Sequence, residues 1–209
     1  MKTRTSSHKI YIAVSLLLFF VLTGFNRKEY KRKSILNMVK IPGLQTGDIV
    51  LRDSKGLLAS LFRKMSLKEK KYSHAGFIVK VNKHSYVYHF IDAEKNSGLS
   101  IDKLEDFAGN AACNSFVVYR PDYSSTQKKE IEDIIKDPEN SNKTFDVDFN
   151  LKSDESLYCT EWIYKCLLAT GFHPPVTKTC TAEYIAPDNL YLNNFVKRIA
   201  YVNYKPDQK

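Results

Sequence analysis

The sequence predicts an α+β fold. Segments of strand character and segments at helical spacing are mixed along the chain without the regular βαβ alternation that signals a parallel sheet. Hydrophobic residues make up 43% and charged residues 26% of the 209-residue chain, which is globular composition rather than disordered or fibrous. No internal repeat or low-complexity tract appears, so one domain with a sizeable core is expected.

The elements follow in chain order. Residues 10–25 (IYIAVSLLLFFVLTGF) are uncharged and apolar and follow Lys2, Arg4 and Lys9, the layout of a signal peptide. The run is slightly short for a membrane span, which needs about 20 residues. No A-x-A site or cysteine ends it, so a cleaved signal and an uncleaved anchor both stay open. Residues 1–26 are therefore assigned to a signal peptide or N-terminal anchor, 27–43 to a basic linker, and 44–204 to the folded domain. An exported, periplasmic or extracytoplasmic protein is expected.

Leu44 to Arg52 (LQTGDIVLR) reads as a turn and a short strand. In Gly56 to Met65, apolar residues at helical spacing predict an amphipathic helix. Lys68 to Lys71 is a solvated loop. Ser73–Val81 and Tyr86–Ala93 are strand candidates joined across Asn82–Ser85. Cys113 to Tyr119 is a further strand. Ser124 to Lys136 is helical, with Ser124 or Ser125 as cap. The clearest helix is Leu157 to Ala169, where Cys159, Trp162, Ile163, Cys166 and Leu167 share one face and Gly171 supplies the stop. A short helix or loop and a strand near Val196–Val202 complete the chain.

The net charge is +9. Five basic residues fall within Arg27 to Lys33, where they would favour anionic lipid headgroups. No zinc-finger, RNA-binding or helix-turn-helix pattern accompanies the charge, so nucleic acid is not an expected partner. The four cysteines (Cys113, Cys159, Cys166, Cys180) permit two disulfides in an exported protein. A domain of this size does not need such staples, and one cysteine has a better use.

Cys159 stands in the first turn of its predicted helix, where backbone N–H groups and the helix dipole favour a thiolate. It also lies on the apolar face, where a cysteine is often only a small buried hydrophobe. A cysteine nucleophile needs a nearby base, usually a histidine, which needs an orienting acceptor. His74 opens a strand beside small Ala75 and Gly76, which let another backbone or a substrate approach. His84 and His173 read as loop residues. For the third member, Asp92 and His89 compete. Three residues apart on a strand they face opposite sides, so only one looks toward His74. A carboxylate would hold the imidazole more strongly, which favours Asp92.

Five segments together (LQTGDIVLR, YSHAGFIV, YHFIDAEKNSGLS, FDVDFN with LYCTEWIYK, and IAPDNL) resemble the permuted NlpC-like cysteine hydrolases of the YiiX/YaeF type, in the family's order and over about Leu44 to Ala200. The resemblance implies a circularly permuted papain-like fold, an antiparallel sheet or small barrel packed on helices. It implies Cys159 as nucleophile, His74 as base and Asp92, between Ile91 and Ala93, as third polar residue. Asp48 also matches, as a turn residue or a site residue, and Thr160 replaces the more usual Ser.

The chemistry implied is acyl transfer through a thioester. The oxyanion would be held by the Cys159 N–H and one further donor. A cell-wall peptide amidase or peptidase is the first expectation. A lipid-directed acyl hydrolase or acyltransferase of the lecithin–retinol acyltransferase kind is the second, and a membrane-tethered binding module with a decayed site the third. The partners expected are a peptide or lipid of the cell envelope and a membrane surface. A metal site from His74, His89, Asp92 and Cys159 has no C-x-x-C or H-x-x-x-H pair to support it, so no cofactor is expected.

Overall fold

Strands β1 (Ile49–Ser54), β2 (His74–Val81), β3 (His84–Ile91), β4 (Gly98–Lys103), β5 (Cys113–Pro121) and β8 (Val196–Asn203) form one antiparallel sheet in the order β4-β3-β2-β1-β5-β8. Among the described residues four α-helices accompany it: α1 (Leu57–Met65), α2 (Leu104–Ala108), α3 (Ser125–Lys136) and α4 (Cys159–Ala169). The two-residue strands β6 (Thr177–Lys178) and β7 (Glu183–Tyr184) pair separately. The structure is a computed structural model that describes residues 41, 43–93 and 97–205. The expectations for residues 1–26, and for nearly all of the linker to 43, lie outside these. Among the described residues no helix is long and apolar enough to cross a membrane.

The sheet is the expected mixed α+β architecture in its open form: β4 and β8 are its two edges, and it does not close into a barrel. Its middle strands are covered on both faces, which is why they read as nearly unbroken apolar runs. Ile49, Val50 and Leu51 of β1 and Ala75, Phe77, Ile78 and Val79 of β2 have no exposed surface. The β2–β3 turn is tighter than Asn82–Ser85, because Val81 already pairs with His84 and Asn82 takes φ 54°. Asparagine tolerates this left-handed conformation better than most residues.

One face of the sheet packs on α4. Trp162 meets Phe77 and Phe90, each with ring centroids 5.4 Å apart, and Ile163 and Leu167 bury beside it. Burial of each large apolar side chain is worth about 1.5–3 kcal/mol, so this stripe seats the helix against β2. Its N-terminus is capped by Glu161, whose carboxylate accepts from the Tyr158 N–H. Gly171 at φ 84° ends it, as its sequence position indicates. Helix α3 carries a full capping box between Ser124 and Gln127.

Two buried acidic residues act as struts. Asp48 is buried and accepts from the Gln45 N–H and, bidentately, from Arg120 at 2.7 Å, which makes it a turn anchor. Asp188 is buried and accepts from the N–H groups of Lys68 and Glu69, pinning the loop that leads into β2.

Candidate active site

The site sits where α4 points its first residue at the start of β2. The paired register of β2 with β3 begins only at Phe77 and Tyr88, so His74 to Gly76 run beyond the ladder. The Ala75 N–H is thereby released from strand pairing. It faces the sulfur of Cys159, together with the N–H groups of Cys159 and Thr160 at the helix tip. Cys159 and His74 are both half-buried, so each keeps some surface in contact with solvent.

The helix tip is fixed from the C-terminal side as well. The Thr160 hydroxyl donates to the Ile185 carbonyl at 2.6 Å, and the Ile185 N–H donates to the Tyr158 hydroxyl at 2.7 Å. Both backbone groups of Ile185 are thus satisfied by the two residues flanking Cys159. A hydroxyl at position 160 suffices for this, so threonine serves as well as serine.

His74 is held by a second histidine. Its Nε2 lies 2.8 Å from Nδ1 of His89, and Nε2 of His89 lies 2.9 Å from Oδ2 of Asp102. Gly76 makes the approach possible. A Cβ there would sit 2.5 Å from Val87 Cγ1, 2.8 Å from the Tyr88 carbonyl oxygen and 3.0 Å from His89 Cβ. Phe107 of α2 roofs the pair, with ring centroids 5.5 Å from His74 and 4.9 Å from His89.

The tautomers follow from the end of this chain. His89 donates to Asp102 and thereby holds that carboxyl below its usual range, so Asp102 is an ionised acceptor. His89 must then carry its proton on Nε2 and offer a lone pair at Nδ1. His74 donates to that lone pair from Nε2, which leaves its own Nδ1 unprotonated. Burial, then His89 and Arg52, hold His74 well below the ordinary histidine value, so the ring is neutral at pH 7. His89 is lowered chiefly by burial, against the raising effect of Asp102. The result is a neutral imidazole with a fixed tautomer.

The helix position does not by itself make Cys159 a resting thiolate. Burial pushes the thiol up to about 11, outweighing the N–H groups of Ala75, Thr160 and Cys159 and the charge of Arg52. Desolvation is larger here than the helix-tip dipole.

The structure brings Cys159 and the His74 strand together and leaves Asp92 apart. Asp92 lies just beyond the end of β3, exposed, where its carboxylate accepts from the Ser97 hydroxyl at 3.4 Å. The opposite-faces argument stands, but the residue facing His74 is His89, which is 1% exposed. Asp102 and Arg52 were missed. Asp102 lies on β4, whose alternation of Leu99 and Ile101 with polar neighbours is a legible strand signal. Arg52 ends the LQTGDIVLR segment and pairs in register with His74. It donates to Ser54 Oγ at 3.0 Å and to the Phe107 carbonyl at 2.6 Å, and its guanidinium lies 4.2 Å from the Phe107 ring centroid.

Among the described residues the cysteines are free: Cys113 and Cys166 are buried and Cys180 is exposed. No group of three or more His, Cys, Asp or Glu side chains there is arranged to hold a metal ion.

Comparison with known proteins gives the family and the fold. The profile of a family described as permuted papain-like amidase enzyme, YaeF/YiiX, C92 family, matches residues 43–196. Among solved structures, the fold is similar to one described as the metalloprotein yiiX from Escherichia coli O157:H7, with a TM-score of 0.61. That likeness covers 75% of this chain and 96% of the other at 20% identity, and shows the fold. No curated protein matches the chain.

Proposed function

Because the chain belongs to the family of permuted papain-like amidases, whose chemistry is amide hydrolysis by a cysteine hydrolase fold, we propose that Cys159 is the nucleophile and His74 the base, and that the bond cleaved lies in a cell-wall peptide. The observation that carries the catalytic reading is the chain His74–His89–Asp102, which leaves one unprotonated imidazole nitrogen beside the strand that faces the sulfur.

In the first step Nδ1 of His74 takes the thiol proton as Cys159 Sγ bonds to the amide carbonyl carbon. The carbonyl electron pair moves to oxygen, giving a tetrahedral oxyanion. The N–H groups of Cys159 and Ala75 converge on this region and are the donors proposed for it. The C–N bond then breaks, and His74 returns its proton to the leaving nitrogen. A water, deprotonated by His74, attacks the thioester, and the thiol leaves with the proton restored. His89, backed by ionised Asp102, stabilises the imidazolium that exists between these steps.

The cell-wall assignment is supported by the family's amide chemistry and by the apolar run at 10–25 behind Lys2, Arg4 and Lys9, which favours export. The test is to incubate the protein and Cys159→Ala with purified cell wall and, separately, with phospholipid vesicles. New amino groups and peptide fragments from the wall, released only by the unsubstituted protein, are expected. Fatty-acid release or acyl exchange from lipid without wall cleavage would overturn the peptide assignment. Equal wall cleavage by Cys159→Ala would overturn the nucleophile.

A further inference from the structure

Arg52 is a charged site residue to which the hydrolytic steps assign no contact with the substrate. It stands beside His74 on the neighbouring strand, in register, with its guanidinium laid on the Phe107 ring. Nε and one Nη are committed to Ser54 Oγ and the Phe107 carbonyl. The other Nη has no acceptor among the described residues. No carboxylate among those residues forms an ion pair with Arg52: Asp53 pairs with Arg63 and Lys205, and Asp102 is occupied by His89 and Ser100. Its position opposite His74 in the ladder, over the same Phe107 ring that touches His74 and His89, puts it beside the imidazole pair.

A half-buried guanidinium without a counter-ion is costly, because it has lost water and gained no anion. Its planar fork matches a carboxylate, and here two neutral bonds and an aromatic face hold the fork still before any ligand arrives. Holding only α2 in place would not require an arginine with an open Nη. A cation beside the imidazole pair also discriminates among substrates by charge.

We propose that Arg52 binds a free carboxylate on the substrate next to the scissile amide, so that the substrates are acidic peptides bearing a carboxylate within one or two bonds' reach of the cleaved carbonyl or its leaving amine. This rests on Cys159 being the nucleophile, and it narrows the substrate class of that site.

Two alkylating reagents test it without a known substrate. Iodoacetate carries a carboxylate next to its reactive carbon and iodoacetamide does not. The ratio of their rate constants at Cys159 cancels any change in thiolate fraction. At low ionic strength Arg52→Gln is expected to lower the iodoacetate-to-iodoacetamide ratio by about tenfold, and added salt to shrink the difference. Arg52→Lys, which keeps the charge, should retain most of the ratio. On peptide amides offered as free acid or carboxamide, Arg52→Gln should raise KM for the acid only. Equal slowing of both reagents by Arg52→Gln would show that Arg52 merely props α2 and would overturn the proposal. Absence of Cys159 labelling by iodoacetamide in the unsubstituted protein would refute the nucleophile, and the carboxylate site with it.

Discussion

Replacing His89 tests the reading of the site most informatively among the supporting residues. The imidazole bridges His74 at 2.8 Å and Asp102 at 2.9 Å, and it is almost wholly buried. During catalysis His74 becomes an imidazolium, so its bond to His89 becomes charge-assisted. Such bonds contribute about 1.5–3 kcal/mol, which corresponds to a loss of about 10- to 150-fold in acylation rate for His89→Ala. That variant also leaves a cavity and lowers thermal stability, so it needs a companion. His89→Asn keeps an amide near the Nδ1 position while cutting the link to Asp102, and should fall between wild type and His89→Ala. The assay is the acylation rate of a chromogenic thioester in single-turnover kinetics, with near-ultraviolet circular dichroism to confirm the fold. The expected outcome is a fall in the chemical step with KM little changed. Wild-type acylation by both variants would refute the reasoning.

Asp92→Ala should acylate within about twofold of wild type, because that carboxylate faces solvent beside Ser97; a loss as large as that of His89→Ala would restore it to the site. Gly76→Ala should cost about 1–3 kcal/mol of stability in denaturant titration and also slow acylation, since the added methyl meets the Tyr88 carbonyl and His89 Cβ. An unaltered Gly76→Ala protein would contradict the close approach of β3. The base must be neutral to act, and His74 is held below 6.5 by burial, His89 and Arg52. Its neutral form therefore persists as pH falls past the point where an ordinary histidine protonates. The acid limb of kcat/KM should lie below pH 6.5, and Arg52→Gln, which removes one lowering cause, should move it upward. An acid limb above pH 6.5 in the unsubstituted protein would contradict the buried neutral base.

Much of the fold was legible because the sheet and helices obey their periodicities locally. The stripe Cys159, Trp162, Ile163, Cys166 and Leu167 named the buried face of α4, and Gly171 named its end. The apolar runs of β1, β2 and β5 are those of strands covered on both faces. The stretch between Ile91 and Cys113 was harder. Strand β4 is six residues long, and helix α2 is too short to show a helical repeat. Asp102 and Phe107, which complete and roof the imidazole pair, come from just that stretch. Asp92 and His89 were hard to separate for a related reason: β3 ends at Ile91, and only the register of its neighbours reveals which side chain lies opposite Gly76. The thiol went the other way from its helix position because desolvation is a property of the packed site, not of a residue's place in a turn.

The central claim is that the sulfur at the tip of α4 becomes acylated through the imidazole on β2. Intact-mass and peptide-level mass spectrometry during turnover of a slow thioester or activated amide tests it most directly. A single acyl adduct on Cys159 is expected, forming in the unsubstituted protein and suppressed by at least about 100-fold in His74→Ala. Adducts confined to Cys113, Cys166 or Cys180, or undiminished acylation of Cys159 without His74, would contradict it.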